Sequence, residues 1–255
     1  MSARRWSRSL PAVFALLLAG CASLPPPEPL APEVHRLLDG LDRRWRQFQD
    51  LRTRVEMTVR RGERSQRLSG VLLLKSPASL RLEALSPWGQ PFVVLVASAD
   101  AFTLYRVTEN RALVGPPSAR AVERWLGFAF DPDELVGILA GHVLPMKDPQ
   151  SGTLLPADGL GASLELSGPR GVQRIWLDPE TLVVRQVEWS GTRGPLRLRY
   201  DGGGPVEPPA ALTLTALDRP VAVSIRYREP ELGVGLPAEL FTLTLREDTE
   251  IQDFR

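Results

Sequence analysis

The sequence has few of the side chains from which metal sites and thiol catalysts are built. Its 255 residues include two histidines, His35 and His142, and one cysteine, Cys21. Zinc sites draw mainly on cysteine and histidine, and a catalytic thiol needs a histidine beside it. We therefore expect no metal site and no cysteine nucleophile. A disulfide within one molecule is excluded, because it would need a second cysteine.

The sequence also lacks the motifs of common enzyme families. It contains no G-x-S-x-G elbow, no Walker loop and no G-x-G-x-x-G fingerprint. Asp131, Asp133 and Glu134 could be paired carboxylates, but their spacing is typical of a helix start, which is our interpretation. We expect neither an enzyme nor a cofactor. The alternative is an envelope hydrolase whose carboxylates meet only in the folded chain.

The first twenty residues have the features of a secretory signal. Three arginines precede an apolar run over residues 12–19, which is too short to cross a bilayer. The segment Leu18-Ala19-Gly20-Cys21 follows, and it resembles the lipobox of bacterial lipoproteins, in which the cysteine is acylated after cleavage. The resemblance implies lipidation at Cys21. Ala22 replaces the aspartate that retains lipoproteins at the inner membrane, which implies the periplasmic face of the outer membrane.

The net charge and the proline content characterise the chain that remains after cleavage. Cleavage removes three arginines and no acid, so that 31 basic and 30 acidic residues become 28 and 30, a balance that argues against nucleic acid as a partner. Residues 21–32 contain five prolines and predict an extended tether. Residues 33–255 predict a single domain, because no internal linker interrupts them.

Hydrophobic spacing predicts three helices and about a dozen strands. The helices are expected near residues 33–50, 118–127 and 131–141, the last two capped by Ser118 and Asp131. Strand-like alternation begins at Leu51 and returns throughout the second half, ending with Phe241, Leu243 and Leu245. Two runs, 71–74 and 92–97, are apolar at every position, which indicates strands covered on both faces. The expected class is mainly β with covering helices (α+β).

Two further segments resemble the lipoprotein-localisation family of LolA and LolB. Residues 80–96 hold a strand, the loop Ser86-Pro87-Trp88-Gly89-Gln90 and an apolar strand, an arrangement similar to a strand, Pro-Leu-Gly loop and strand of that family. Residues 118–145 hold two short helices that each end near a glycine, as in the family's receptor. With the lipobox, these segments cover about a third of the chain. Trp88 stands where the family has leucine, which is a departure.

The resemblance implies an incomplete antiparallel β-barrel whose apolar cavity accepts the acyl chains of lipoproteins or lipids. It implies that Pro87, Trp88 and Gly89 form a loop that engages membrane or cargo, although a tryptophan packed into the core or into its own turn is the alternative. The partners would be the inner leaflet of the outer membrane and a periplasmic LolA-like carrier, with the chain itself a monomer. The expected cavity-lining residues, each of which could instead belong to a filled core, are Leu72, Leu74, Val94, Phe102, Phe128 and Phe130.

Besides the envelope hydrolase, two functions without covalent chemistry remain open at this point. In the first, the chain receives acylated cargo in a hollow half-barrel and helps to insert it in the outer membrane without covalent chemistry. In the second, it keeps the fold as an envelope assembly or scaffolding lipoprotein, and side chains fill its interior. A contiguous apolar cavity favours the first function, and a closed interior favours the second.

Overall fold

The computed structural model describes residues 30–253, so that Cys21, the lipobox and most of the predicted tether lie outside the described part. The first helix, α1 (Pro32–Gln47), starts with proline at its first position and buries Val34, Leu37 and Leu41 against the sheet. It ends three residues before the predicted limit, because the first strand already begins at Asp50.

One open sheet holds every strand of the described chain. Its order is β14-β6-β5-β4-β3-β2-β1-β13-β12-β11-β10-β9-β8-β7, and all neighbours are antiparallel except β14 and β6. This open, mostly antiparallel sheet fits the predicted incomplete barrel. The strands are β1 (Asp50–Arg61), β2 (Arg64–Lys75), β3 (Ser79–Leu85), β4 (Pro91–Ala97), β5 (Phe102–Arg106), β6 (Arg111–Gly115), β7 (Ser151–Asp158), β8 (Gly161–Gly168), β9 (Gly171–Leu177), β10 (Val184–Gly191), β11 (Leu196–Asp201), β12 (Ala211–Ala216), β13 (Val221–Leu232) and β14 (Glu250–Asp253).

The two predicted short helices are confirmed, with their caps. In α2 (Ala119–Leu126) the Ser118 hydroxyl accepts a hydrogen bond from the Ala121 N–H at 3.3 Å. In α3 (Pro132–Ala140) Asp131 and Glu134 form a capping box, as the helix-start interpretation of these carboxylates requires. Each helix ends at a glycine with positive φ.

The three helices cover the inner face of the sheet, and side chains fill the space in the middle. Phe102, Phe128 and Phe130 are fully buried there. The hydroxyls of Tyr200 and Tyr227 donate to the carbonyls of Ile138 and Leu139 at 2.8 and 2.7 Å, which fixes the C-terminal end of α3 above the sheet. The phenol pKa of Tyr200 is raised well above its ordinary value by burial, as is that of Tyr227, so both groups act as donors.

The outer face of β2–β4 is covered by residues 233–243, the C-terminal segment. Leu236 and Phe241 pack against Leu73, Val94 and Val96 in a second apolar cluster. Residues 72–74 and 94–97 are buried, as the prediction of strands covered on both faces requires, whereas Phe92 and Val93 stay partly exposed. The predicted strand at residues 241–245 is wrong. A 3-10 turn (Ala238–Phe241) ends at Phe241, residues 242–245 pair with no strand, and Phe241 and Leu243 pack their side chains onto the outer face of the sheet instead.

Candidate functional site

A groove with an apolar floor opens between the inner face of β1–β5 and α2. Its volume is about 570 Å³, within the range of about 300 to 1,000 Å³ typical of ligand sites. The floor is buried, with Leu95 1% exposed. The apolar lining consists of Met57, Val59, Leu68, Leu82, Ala84, Phe92, Val93, Leu95, Leu104, Trp125 and Leu126.

Unequal strand lengths create this groove. The strands β1 and β2 each have twelve residues, whereas β3 has seven. The ladder between β2 and β3 therefore runs only from the Ser69–Leu85 pair to the Lys75–Ser79 pair. Residues 64–68 of β2 extend past the end of β3, and Leu68 and Val93 both line the groove. Its mouth thus lies at the end of the sheet that holds the β1–β2 turn.

The polar part of the groove lining is basic. Arg61, Arg64 and Arg106 line the mouth with Ser65 and Gln66, and all three arginines are exposed. Arg61 has a structural contact, since its Nη2 donates to the Trp125 carbonyl at 2.9 Å at the C-terminal end of α2. The site therefore combines an apolar floor with a positively charged mouth.

Trp125 separates the groove from a smaller space under α2 and α3. This inner space of about 30 Å³ has an entirely apolar lining, and it shares Met57, Leu82, Trp125 and Leu126 with the groove. The indole of Trp125 is only partly buried. A hydrocarbon chain in the groove would therefore lie against the edge of the packed core.

The loop between β3 and β4 projects Trp88 into solvent. The side chain is 87% exposed, and the loop is closed by a hydrogen bond from the Gly89 N–H to the Ser86 carbonyl at 2.9 Å. A second bond, from the Ser86 N–H to the Gln90 carbonyl at 2.8 Å, fixes its base. The strands on either side of this loop supply Ala84 and Phe92 to the groove, so Trp88 stands at the groove's open end.

The predicted cavity residues do not gather at the groove. Leu72 lines the small inner space, while Leu74, Phe102, Phe128 and Phe130 are part of the packed core. Val94 faces the opposite side of β4, beneath the C-terminal segment, because neighbouring residues of a strand point to opposite faces. Its neighbours Val93 and Leu95 line the groove instead.

Comparison with known proteins identifies the fold. No family model matches the sequence, and no curated protein matches it. A solved domain named as a putative outer membrane lipoprotein-sorting protein from Vibrio parahaemolyticus shares 13% identity with a TM-score of 0.57, over 81% of this chain and 94% of that one. A LolA superfamily protein from Nitrosomonas europaea shares 12% identity with a TM-score of 0.54, over 84% and 99%. The fold is LolA-like.

A third solved structure with this LolA-like fold is a DUF1329 family protein from Desulfovibrio piger. It is 12% identical with a TM-score of 0.55, over 82% of this chain and 95% of that one. At such identities the similarity concerns the fold alone.

Within residues 30–253 of this chain, no helix has both the length and the hydrophobicity needed to cross a bilayer. In the same residues, no group of three or more metal-ligating side chains lies close enough together to hold a metal ion.

The opposite end of the LolA-like sheet holds a second cleft, of about 260 Å³, beside His142. The His142 ring packs against Trp45 and Phe48, with centroids 6.0 and 5.4 Å away. Arg44 lies close by and donates to the Pro205 carbonyl at 3.1 Å. Burial, and then the charge of Arg44, lower the pKa of His142 to about 4. His142 is therefore neutral at neutral pH.

We expect His142 to make folding sensitive to mild acid. Between pH 6.5 and about 4 the imidazole takes up a proton in the unfolded chain and not in the folded one. The free energy of unfolding should therefore fall by about 3 kcal/mol as the pH drops through this window. Urea unfolding of the wild type and of His142→Leu at a series of pH values measures this difference. His35→Gln is the control, because His35 is exposed, and identical slopes for wild type and His142→Leu would contradict the prediction.

Proposed function

We propose that this chain is an outer-membrane lipoprotein, anchored through Cys21, which holds the acyl chains of lipoproteins or lipids in its groove and helps to insert them in the membrane. The observation that carries the proposal is the groove itself, an open space of about 570 Å³ on an apolar floor in a LolA-like fold. One form of this function is a LolB-like receptor that accepts lipoproteins from a LolA-like periplasmic carrier, and the other form takes up lipids. No covalent chemistry is needed.

The energetics of acyl binding suit this groove. Each methylene moved from water to an apolar environment contributes about 0.8 kcal/mol, and such binding requires little hydrogen bonding. The floor offers Leu82 and Leu95 for this contact, and the half-buried Val93 and Leu104 leave room above them. A chain of about ten methylenes would gain enough to offset the cost of association.

The exposed Trp88 supports the membrane part of the proposal. An exposed indole is costly to leave in water, and it suits a bilayer interface, where its rings are buried and its N–H stays hydrated. The hydrogen-bonded turn of residues 86–90 holds it in one place at the open end of the groove. Insertion of Trp88 would bring the groove to the bilayer surface, where an acyl chain could pass between the two.

We expect Trp88→Glu to weaken membrane association and to slow the delivery of acyl chains. Without the indole, which would be buried in the bilayer, liposome binding should fall about tenfold or more, because burying a large apolar side chain contributes about 1.5 to 3 kcal/mol. The measurements are co-sedimentation with liposomes and transfer of a fluorescent palmitoyl probe from protein to liposomes. The full chain carries Cys21→Ala in both, so that its own anchor does not bind the bilayer.

The matched control for this experiment is Val206→Glu. Val206 is 83% exposed, in the loop between β11 and β12, and it lies beside the cleft at the other end of the sheet. This variant should bind liposomes as the wild type does. If Trp88→Glu bound and transferred like the wild type, or if it failed to fold, the proposed role of Trp88 would be wrong.

The packed middle of the domain favours a second candidate, an envelope scaffolding lipoprotein. Phe102, Phe128 and Phe130 fill the space that a fully hollow half-barrel would leave open. In that case the groove would stay empty and the chain would act through its surface. Mass spectrometry of lipids that co-purify with the wild type separates the two, since only the first function predicts bound acyl chains.

A further inference from the structure

The cations at the mouth of the groove are not all used by the fold. Arg61 holds the end of α2, and Arg106 Nη1 lies 3.3 Å from a Glu109 carboxylate oxygen. That pair is exposed on both sides, and exposed pairs contribute only about 0 to 1 kcal/mol. Arg64 forms no ion pair with any residue from 30 to 253. Two guanidinium groups can therefore turn to a ligand.

Among residues 30–253, no acidic side chain lines the groove itself, and Glu109, which pairs with Arg106, lies outside the lining. The positive charge stands only at the mouth, and the floor behind it is aliphatic and aromatic. This arrangement is complementary to a molecule with a hydrocarbon chain and an anionic end. Guanidinium groups bind phosphate oxygens with two parallel hydrogen bonds, which makes phosphate the best match.

We infer that the preferred ligand of the groove is a phosphate-bearing lipid, with its acyl chain on the Leu82–Leu95 floor and its phosphate at the mouth, where Arg64 and Arg106 line the groove. The inference rests on the proposed function, because it requires the groove to hold an acyl chain. It narrows that function, since the diacylglyceryl group of a lipoprotein carries no phosphate and a glycerophospholipid does. The Trp88 loop stands at the same end of the groove, where lipid phosphates of a bilayer would meet the arginines.

Two probes that differ only by a phosphate test the inference. The first is 1-palmitoylglycerol 3-phosphate and the second is 1-palmitoylglycerol, both used below their micelle concentrations. Each displaces the neutral fluorophore N-phenyl-1-naphthylamine from the full chain carrying Cys21→Ala, so that no acyl group of its own can enter the groove. We expect the phosphate probe to bind about tenfold tighter or better, and this preference to shrink as salt is added.

The variant Arg64→Gln with Arg106→Gln should bring the ratio of the two affinities close to one. Arg64→Lys with Arg106→Lys keeps the charge and should restore part of the preference. The control is Arg199→Gln with Arg226→Gln, which removes the same charge from exposed positions on the outer face. This control should keep the wild-type ratio. Thermal unfolding of each variant tests whether it is folded.

The outcomes separate this inference from the proposed function. If both probes bind the wild type equally, the phosphate inference is wrong while acyl binding stands. If neither probe displaces the fluorophore, both the phosphate inference and the proposed function are wrong. If glycerol 3-phosphate alone competes as well as the phosphate probe, the arginines form a phosphate site without acyl recognition, and the inference is again overturned.

Discussion

Leu104→Asp should abolish acyl binding while the fold survives. Leu104 lies on the inner face of β5, opposite Leu95, and it lines the groove while remaining partly exposed. A carboxylate at this position would face the hydrocarbon chain, and its short side chain could not carry the charge out to solvent. Placing a charge beside an acyl chain should cost about 3 kcal/mol or more, which is on the order of a hundredfold in affinity. Displacement of N-phenyl-1-naphthylamine by 1-palmitoylglycerol measures the loss.

Two further variants make this result specific. Leu104→Met keeps the side chain apolar and close in volume, so we expect affinity close to that of the wild type. Leu232→Glu places a carboxylate at the opposite end of the sheet, beside the second cleft, and it should leave acyl binding unchanged. Equal affinity of Leu104→Asp and Leu104→Met would show that hydrocarbon does not occupy this groove.

The helices were predictable because their signals are local. Ser118 and Asp131 are good N-cap residues, and Gly141 adopts the left-handed conformation that ends a helix. These preferences act over a few residues and do not depend on distant parts of the chain. The strand pattern around Leu51 and Val55 was equally plain, because one face of the sheet is buried and the other is wet.

The strands that escaped prediction have weak patterns for physical reasons. The edge strand β7 contains Pro156 and is mostly exposed, so its alternation carries little hydrophobic contrast. The four residues of β14 are all exposed, and this strand forms by parallel pairing with the edge of β6. Long-range pairing of this kind leaves no trace in local hydrophobicity.

The location of the groove was not predictable from alternation. A strand pattern distinguishes the two faces of a sheet, but the same leucine fits a filled interior and a hollow one. The hollow depends on the difference in length between β2 and β3, on α2 above it and on the small side chain of Ala84. The prediction places Val94 in the cavity, although its neighbours Val93 and Leu95 line it, because a fully apolar run does not show which residues face inward.

The same apolar run explains why the C-terminal segment is needed. The outer faces of Leu73, Val94 and Val96 would meet water without Leu236 and Phe241. Strands that form the wall of the groove are thus stabilised from behind by a segment that is distant in sequence. The contact that holds this segment begins at Asp50, where β1 and the end of β13 meet.

Asp50→Ala should release the C-terminal segment and strongly destabilise the domain. The carboxylate is 3% exposed and accepts hydrogen bonds from the N–H groups of Val234, Gly235 and Leu236, at 2.8, 3.1 and 3.2 Å. Removing it leaves these donors without an acceptor next to the buried cluster. We expect the free energy of unfolding to fall by about 3 to 5 kcal/mol. Urea unfolding and amide hydrogen exchange of residues 233–243 are the measurements.

Asp201→Ala is the control for this effect, because Asp201 is exposed at the end of β11 and its loss should change stability by less than about 0.5 kcal/mol. Asp50→Asn keeps one acceptor oxygen but turns an amide donor towards N–H groups, so it should recover only part of the stability. Exchange should accelerate first in residues 233–243 and then in β4, because Val94 and Val96 lose their cover. If Asp50→Ala lowered stability without accelerating exchange in the C-terminal segment, Asp50 would act only on its own strand, and the wall of the groove would not depend on this contact.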